Sequence, residues 1–594
     1  ESILRCYYRE IRLVKRRLTF DGVEEIIANV EQKINNTLYY PDKTVYADSG
    51  EILTDLLAAR VILIEKHQSL FIDLLDMFIL KVRIFGFHFA SLDIRQDAKK
   101  HRFVWTEILK KTEEKIPAIF SQKNFETWDE AQKIDFLLTM KGRLDEMDYA
   151  DEFVKETIRS VKLIAEIQQK NGPLGCHRYI ISGCGAAVEV AETLALAQLC
   201  LLKDGAENVP LDISPLFETI EDLAEADKVM AVLYKNKHYA KHLAARGHVQ
   251  HIMLGFSDGT KDGGYLRANW SIYRAKEALT KISREHGIAV IFFDGRGGPP
   301  GRGGGNNASY YAAHGPEIEN REIHVTIQGQ TVSSTYGTVQ AAIYNTERLF
   351  VAGLETAVFG AEHFEEKQKS TADKLATTAY DAYLGLKNHE DFVPYLEKMT
   401  PLKWYGDTNI ASRPTRRGDG KLRFEDLRAI PFVGAWAQMK QNVPGFYGLG
   451  SALQKWRESG KSSSLKSLYE HSLFFRTLVE NSMQSLSKSN FQLTAYIADD
   501  PQFGDFWKMV EAEFERTKME IVALTGQNEL LGGNPTSRES ILLRENIVLP
   551  LSVIQQFALQ KLEQAESTAT ESEVFSKMVM RAMFGVINAA RNSA

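Results

Sequence analysis

The segment Gly295 to Gly305 (GRGGPPGRGGG) sets two arginines, Arg296 and Arg302, six positions apart among glycines. Glycine lacks a side chain and tolerates positive φ, so several backbone N–H groups can converge on one anion there. The two guanidiniums add permanently charged forks suited to carboxylate or phosphate. A disordered arginine–glycine tract that adheres to RNA is the alternative reading. The tract is single and short, and it follows the apolar run Ile288 to Phe293 directly, so an ordered anion-binding loop is expected.

A second chemical loop is Phe256 to Gly264 (FSDGTKDGG), where Asp258, Lys261 and Asp262 fall within five residues between glycines. Carboxylates and an ammonium so spaced can hold a divalent cation and a phosphate together. The G-x-x-x-x-G-K-[ST] spacing of a Walker loop is absent. Glu218 follows another apolar run and offers a further hard oxygen. Mg²⁺ takes one or two carboxylates and keeps its other positions for water and substrate oxygens. Glu218 with Asp258 fits that count.

The elements that must position these groups alternate between residues 85 and 345. Strand-like runs are Phe87 to Ile94, Tyr179 to Ser182, Ile213 to Phe217, His251 to Phe256, Ile288 to Phe293 and His324 to Gln328. Between them, helical spacing marks Asp151 to Lys170, Val188 to Leu202, Leu223 to Tyr234 and Tyr265 to Arg284. Repeated βα units imply a parallel sheet covered by helices. Arg95, Glu218, Asp258, Arg296 and Gln328 each follow or close one of these runs. Polar residues at many successive strand ends favour a closed (β/α)8-type (TIM-like) barrel over an open sheet, which gathers its ligand groups at one switch point. The fold class expected is therefore an α/β barrel, strongly helix-rich.

Residues 1–84 read as a helical segment leading into the barrel, 85–345 as its βα units, and 346–594 as a helical C-terminal layer. Ser370 to Leu386 and Leu465 to Lys488 are expected helices there, and Arg413 to Gly420 a loop. The basic cluster Arg413 to Arg417 (RPTRR) is either a second anion contact or a solvated loop. Glu1 opens directly into a basic amphipathic helix, which reads as the interior of a longer protein; Lys15 to Arg17 are its solvated face.

Composition narrows the class further. The 594 residues are 44% hydrophobic and 25% charged, with a formal net charge of −6. That balance gives no general field for nucleic acid. No stretch reaches the ~18 uncharged apolar residues of a membrane span; the richest, Leu70 to Phe87, is broken by Asp73, Asp76, Lys81 and Arg83. Four cysteines are too few to staple such a chain, and a reducing, cytoplasmic setting is expected. Cys176, His177 and Cys184 lack a CxxC pair and read as ordinary packing rather than a zinc site.

Seven motifs in order carry a family resemblance: FHFASLDIRQDAKKH from 87, SPLFETIEDL from 214, MLGFSDGTKDGG from 253, FFDGRGGPPGRGGG from 292, ASRPTRR from 411, LRAIPF from 427 and the terminal RNSA. Together they make the chain resemble phosphoenolpyruvate carboxylase along its whole length, leaving out the family's N-terminal third. The resemblance implies an eight-stranded barrel, a homotetramer, and Mg²⁺ or Mn²⁺ as cofactor. It implies that phosphoenolpyruvate and bicarbonate give oxaloacetate and phosphate through carboxyphosphate and the pyruvate enolate.

By motif, Glu218 and Asp258 match the metal ligands, and Lys261 the active-site lysine. Arg95, Arg296, Arg413 and Arg428 match arginines that grip phosphoenolpyruvate and the departing phosphate. Arg302 matches one used in carboxylation and in inhibitor binding. Lys488, Arg544 and Asn592 align with the aspartate or malate feedback site. The family's essential histidine belongs to a T-A-H-P-T motif that this sequence does not contain, so an incomplete active site is expected of the chain as given. Asp294 stands where the family has His and is expected to add negative charge beside the anion site. Gln330 replaces a usual Glu, and residues 545–549 depart from the family after Arg544. A phosphotransferase of related substrate would bring a phosphorylatable histidine domain, which is not seen. The alternative of another class is a non-catalytic anion-binding scaffold on the same fold.

Overall fold

A computed structural model describes residues 1–115, 121–202, 208–327, 329–359, 364–407, 423–563 and 569–591. Expected features at Arg413 to Gly420, Gln328 and Asn592 lie outside the described residues. The chain divides into two compact units. One comprises Glu1–Ser182, Ala186–Ser214 and Asn236–Gly247; the other comprises Gly183–Gly185, Pro215–Lys235 and His248–Ala594.

The first unit opens with four helices, Ser2–Lys15, Val23–Tyr39, Ser49–Lys66 and Ile72–Phe85. Each carries an apolar stripe at helical spacing: Tyr7, Ile11 and Val14; Ile27, Val30 and Ile34; Ile52, Leu56 and Leu63; Leu75, Phe78 and Val82. These stripes bury against one another as a single core. Asp48 caps the third helix, its carboxylate accepting from the N–H groups of Gly50 and Glu51.

Strand β1 (Asp93–Asp97) pairs in parallel with β2 (Arg178–Ser182) in this unit, with Arg95 opposite Ile180. The strand-like run from Phe87 is thus largely not strand. Phe89 sits at φ 63, which interrupts any extended chain. Its ring stacks on Phe85 at 5.6 Å, and Phe87 packs on the helical core. The helix expected from Asp151 spans Glu152–Asn171, capped by Asp151 and stopped by Gly172 at φ 85.

Strand β3 (Asp212–Phe217) is buried along its length. In the second unit its end pairs with β4 (Val249–Leu254), β4 with β5 (Ala289–Asp294), and β5 with β6 (Ile323–Val325), all parallel. Strand order is sequential from β1 to β6. Parallel neighbours need long crossovers, and the Tyr265–Glu285 helix supplies the one from β4 to β5. The protein is therefore helix-rich around a parallel sheet, with six strands among the described residues.

From Val339 onward the described residues are helical, as expected. Aromatic packing ties these helices to the Tyr265–Glu285 helix. Trp270 stacks on Tyr273 at 5.4 Å, Phe474 reaches Tyr273 at 4.6 Å, and Trp270 Nε1 donates to Asp373 at 2.6 Å. Leu465 to Lys488 is not one helix. It breaks at Ser472 into Ser462–His471 and Leu473–Ser487, because the buried Ser472 hydroxyl accepts from the Phe475 N–H and starts a new helix.

Candidate active site

The glycine–arginine loop leaves the end of β5 and folds back on itself. The Gly297 N–H donates to the Arg302 carbonyl at 3.2 Å, and the Gly304 N–H to the Pro299 carbonyl at 3.0 Å. A Cβ on Gly304 would lie 2.1 Å from the Gly297 carbonyl oxygen, so only glycine fits. Gly303 takes φ +72 against Phe256, where a Cβ would meet the Phe256 Cβ at 2.7 Å. The loop is thus ordered, as its position after a core strand implied.

Both arginines are buried by this folding. Arg296 is 1% exposed, and its guanidinium carbon lies 3.9 Å from the centre of the Tyr310 ring. Its Nε and Nη1 have no hydrogen-bond partner among the described residues. A desolvated cation with open donors is costly unless an anion completes it. Arg302 is 4% exposed; burial pushes its pKa down to about 10, with the Asp258 carboxylate opposing. Asp258 and Arg302 are therefore electrostatic neighbours.

The expected strand-end loop at Phe256 is instead a short helix, Phe256–Gly263. Its N–H groups find helical acceptors, as Gly259 N–H to Gly255 carbonyl at 3.0 Å shows, which a list of turn-forming residue types does not reveal. Asp258 sits in its first turn. Lys261 is buried, its ammonium 4.5 Å from the centre of the Phe424 ring and its carbonyl accepting from the Tyr383 hydroxyl at 2.8 Å. Asp262 is structural: its carboxylate accepts from the Ile220 N–H at 3.1 Å and from Lys387 at 2.7 Å.

Glu218 is 6% exposed and accepts from the Gly183 N–H at 2.7 Å. It packs on Gly255, where an added Cβ would come within 3.0 Å of the Glu218 Cα and Cγ. That close approach brings Glu218 to the start of the helix that carries Asp258. Among the described residues no cluster of three or more His, Cys, Asp or Glu could hold a metal. Two carboxylates, with substrate oxygens and water completing the shell, nevertheless suit Mg²⁺ or Mn²⁺.

The other expected residues are distributed as follows. Arg95 lies half-buried on β1 in the first unit. Arg428 precedes the Ala429–Gln438 helix, four residues beyond the Phe424 that covers Lys261. Arg413 and Asn592 lie outside the described residues. Lys488 and Arg544 are brought together with Lys440 and Glu545. Burial, reinforced by the Lys440 and Arg544 charges, pushes the Lys488 pKa down to about 8. Lys440 is itself tied to Glu545 at 2.7 Å.

Several participants were missed from sequence. Asp294 does not add an uncompensated charge: Lys276 donates to its Oδ2 at 2.8 Å, and both side chains are 1% exposed. Lys276 was detectable, since Ile272, Lys276 and Leu279 share the spacing of a buried face. Phe424 and Tyr310 carried no comparable signal.

The sequence profile of a family described as Phosphoenolpyruvate carboxylase matches residues 4–593. The phosphoenolpyruvate carboxylase of Mycobacterium avium (strain 104) is 32% identical over 611 residues, covering 99% of this chain and 63% of the relative. That of Corynebacterium glutamicum is 31% identical over 609 residues, covering 99% and 64%. That of Nocardia farcinica is 33% identical over 607 residues, covering 99% and 64%. The chain thus spans just under two thirds of the length of these relatives.

Proposed function

The chain belongs to the phosphoenolpyruvate carboxylase family, and we propose that its buried arginine–carboxylate site takes part in bicarbonate-dependent carboxylation of phosphoenolpyruvate to oxaloacetate and phosphate. One observation carries this reading: Arg296, 1% exposed, has Nε and Nη1 without a partner, in the loop that also buries Arg302 near Asp258. A site so built favours a small, highly charged anion.

In this reading Arg296, Arg413 and Arg428 bind the phosphate and carboxylate of phosphoenolpyruvate. Bicarbonate oxygen attacks phosphorus and the bond to the enol oxygen breaks, leaving carboxyphosphate and the pyruvate enolate. Carboxyphosphate then releases phosphate and CO₂, and the enolate C3 attacks that CO₂ to give oxaloacetate. Lys261 and Arg302 stabilise charge that develops on the phosphoryl and carboxylate oxygens, where buried cations act most strongly. Glu218 and Asp258 would hold Mg²⁺ or Mn²⁺, which would supply further positive charge to stabilise the enolate. The low-exposure loop limits water, which would otherwise protonate the enolate to pyruvate.

The same family reading extends to closure of the parallel sheet into an eight-stranded barrel, to a homotetramer, and to aspartate or malate as inhibitor at Arg302, Lys488, Arg544 and Asn592. The test of the activity is oxaloacetate formation, coupled to NADH oxidation, with and without bicarbonate, on the natural full-length protein. Lys261→Ala and Arg302→Ala should each abolish it; near-normal turnover in both would overturn the assignment. Phosphoenolpyruvate binding without any turnover in the unmutated protein would favour the non-catalytic scaffold.

A further inference from the structure

A closed chain of contacts runs behind Arg296. The Asp294 Oδ2 accepts from Lys276 Nζ and from the Tyr311 hydroxyl, each at 2.8 Å. Tyr311 meets Tyr310 edge-on, centroids 5.1 Å apart at 79°. Tyr310 in turn presents its ring to the Arg296 guanidinium at 3.9 Å. The Lys276 ammonium is also faced by the rings of Phe292 at 5.2 Å and Tyr310 at 5.2 Å. Every polar group in this chain is deeply buried: Lys276, Asp294 and Arg296 are 1% exposed, Tyr310 2% and Tyr311 3%.

Charge explains why the arrangement is specific. Lys276 and Asp294 neutralise each other, whereas Arg296 has no ion-pair partner among the described residues. An acid at position 294 alone would be a strong competitor for Arg296, two residues along the chain. With Lys276 in place, that acid is engaged elsewhere and Arg296 keeps its donors for a ligand. A buried ion pair often adds little net stability, so its retention here points to a role other than folding free energy.

We propose that Lys276 and Asp294 form a positioning pair that, through Tyr311 and Tyr310, orients Arg296 and reserves its guanidinium for the substrate anion. The identity of that anion rests on the function proposed above; the orientation of Arg296 does not.

The test is phenylglyoxal modification of Arg296, followed by peptide mass spectrometry in the full chain, with Arg302 in the same molecule as internal standard. Lys276→Met should lower the rate at Arg296 relative to Arg302 by about tenfold, since the released Asp294 carboxylate then engages the guanidinium. Adding Asp294→Asn to that variant should restore the rate, because the competing acid is gone and the two residues act as a unit in a double-mutant cycle. A merely structural role would change both arginines equally, or leave the double variant as slow as Lys276→Met, and either result overturns the proposal. Tyr311→Phe keeps the ion pair and decides the matter if the single charge variants do not fold. About a threefold rise at Arg296 is expected for loss of one buried hydrogen bond, and no differential rise overturns the proposal. Phosphoenolpyruvate affinity is measured in parallel. The labelling pattern without any such affinity in the unmutated protein would keep the positioning pair and discard the functional reading.

Discussion

The ammonium of Lys261 rests 4.5 Å from the centre of the Phe424 ring, and the same ring faces Lys387 at 5.3 Å. Lys387 is paired with Asp262 at 2.7 Å. One aromatic ring therefore orients two cations, of which one is structural and the other lies in the candidate site. Phe424 is itself held edge-on by Phe392 and Phe432, both at 5.4 Å.

Replacing Phe424 by Leu removes the ring quadrupole while keeping most of the apolar volume. A cation–π contact contributes about 0.5–2 kcal/mol, so turnover is expected to fall by roughly twofold to thirtyfold, with a shift in melting temperature of only a few degrees. Steady-state kinetics with thermal melting checks this; unchanged kcat would show that Phe424 only packs.

Glu218→Ala should abolish saturable Mn²⁺ binding, read by electron paramagnetic resonance of the free ion. The variant loses a buried carboxylate whose Oε2 accepts from the Gly183 N–H at 2.7 Å, so a stability cost of about 1–3 kcal/mol is also expected. Undiminished Mn²⁺ binding removes Glu218 from the ligand set.

Gly304→Ala forces a Cβ into the space 2.1 Å from the Gly297 carbonyl oxygen and 2.5 Å from that of Gly298. Backbone cannot yield as a side-chain tip does, so the loop must open. Loss of measurable activity is expected, with destabilisation of about 2 kcal/mol or more by chemical denaturation.

Lys488 gives a pH signature. Its folded pKa is pushed from 10.5 down to about 8, chiefly by burial. Between these values the unfolded chain binds the proton and the folded one does not, so stability contributed by this group rises with pH from about 8 toward 10.5. Below pH 8 the cost of burying the ammonium is fully present. Lys488→Met should flatten that rise in the denaturation midpoint, and an unaltered slope would contradict the burial. Over the same interval, anion affinity at Lys488 and Arg544 should weaken as pH rises, since one cation is lost.

Part of this protein is legible in its residues alone. Apolar runs alternating with helical spacing marked five of the six described strands, β2 to β6, because a strand buried in a parallel sheet reads as a short apolar run. The glycine–arginine loop and the Phe256–Gly263 segment stood out as candidate sites through side-chain types at short spacing. The true start of β1 and the break at Ser472 were not legible. Each depends on one residue's φ or on which backbone N–H one hydroxyl accepts from, Phe89 and Ser472 respectively, which residue type does not specify.

Tertiary structure alone decided which charges meet. Lys276 and Asp294 are 18 residues apart, Lys440 and Glu545 are 105 apart, and each pair closes to under 3 Å. Periodicity reports that a face is buried but is silent on what lies across from it. The partner is selected by the packing of distant elements, and only that packing turns an acid two residues from Arg296 into one half of a neutral pair.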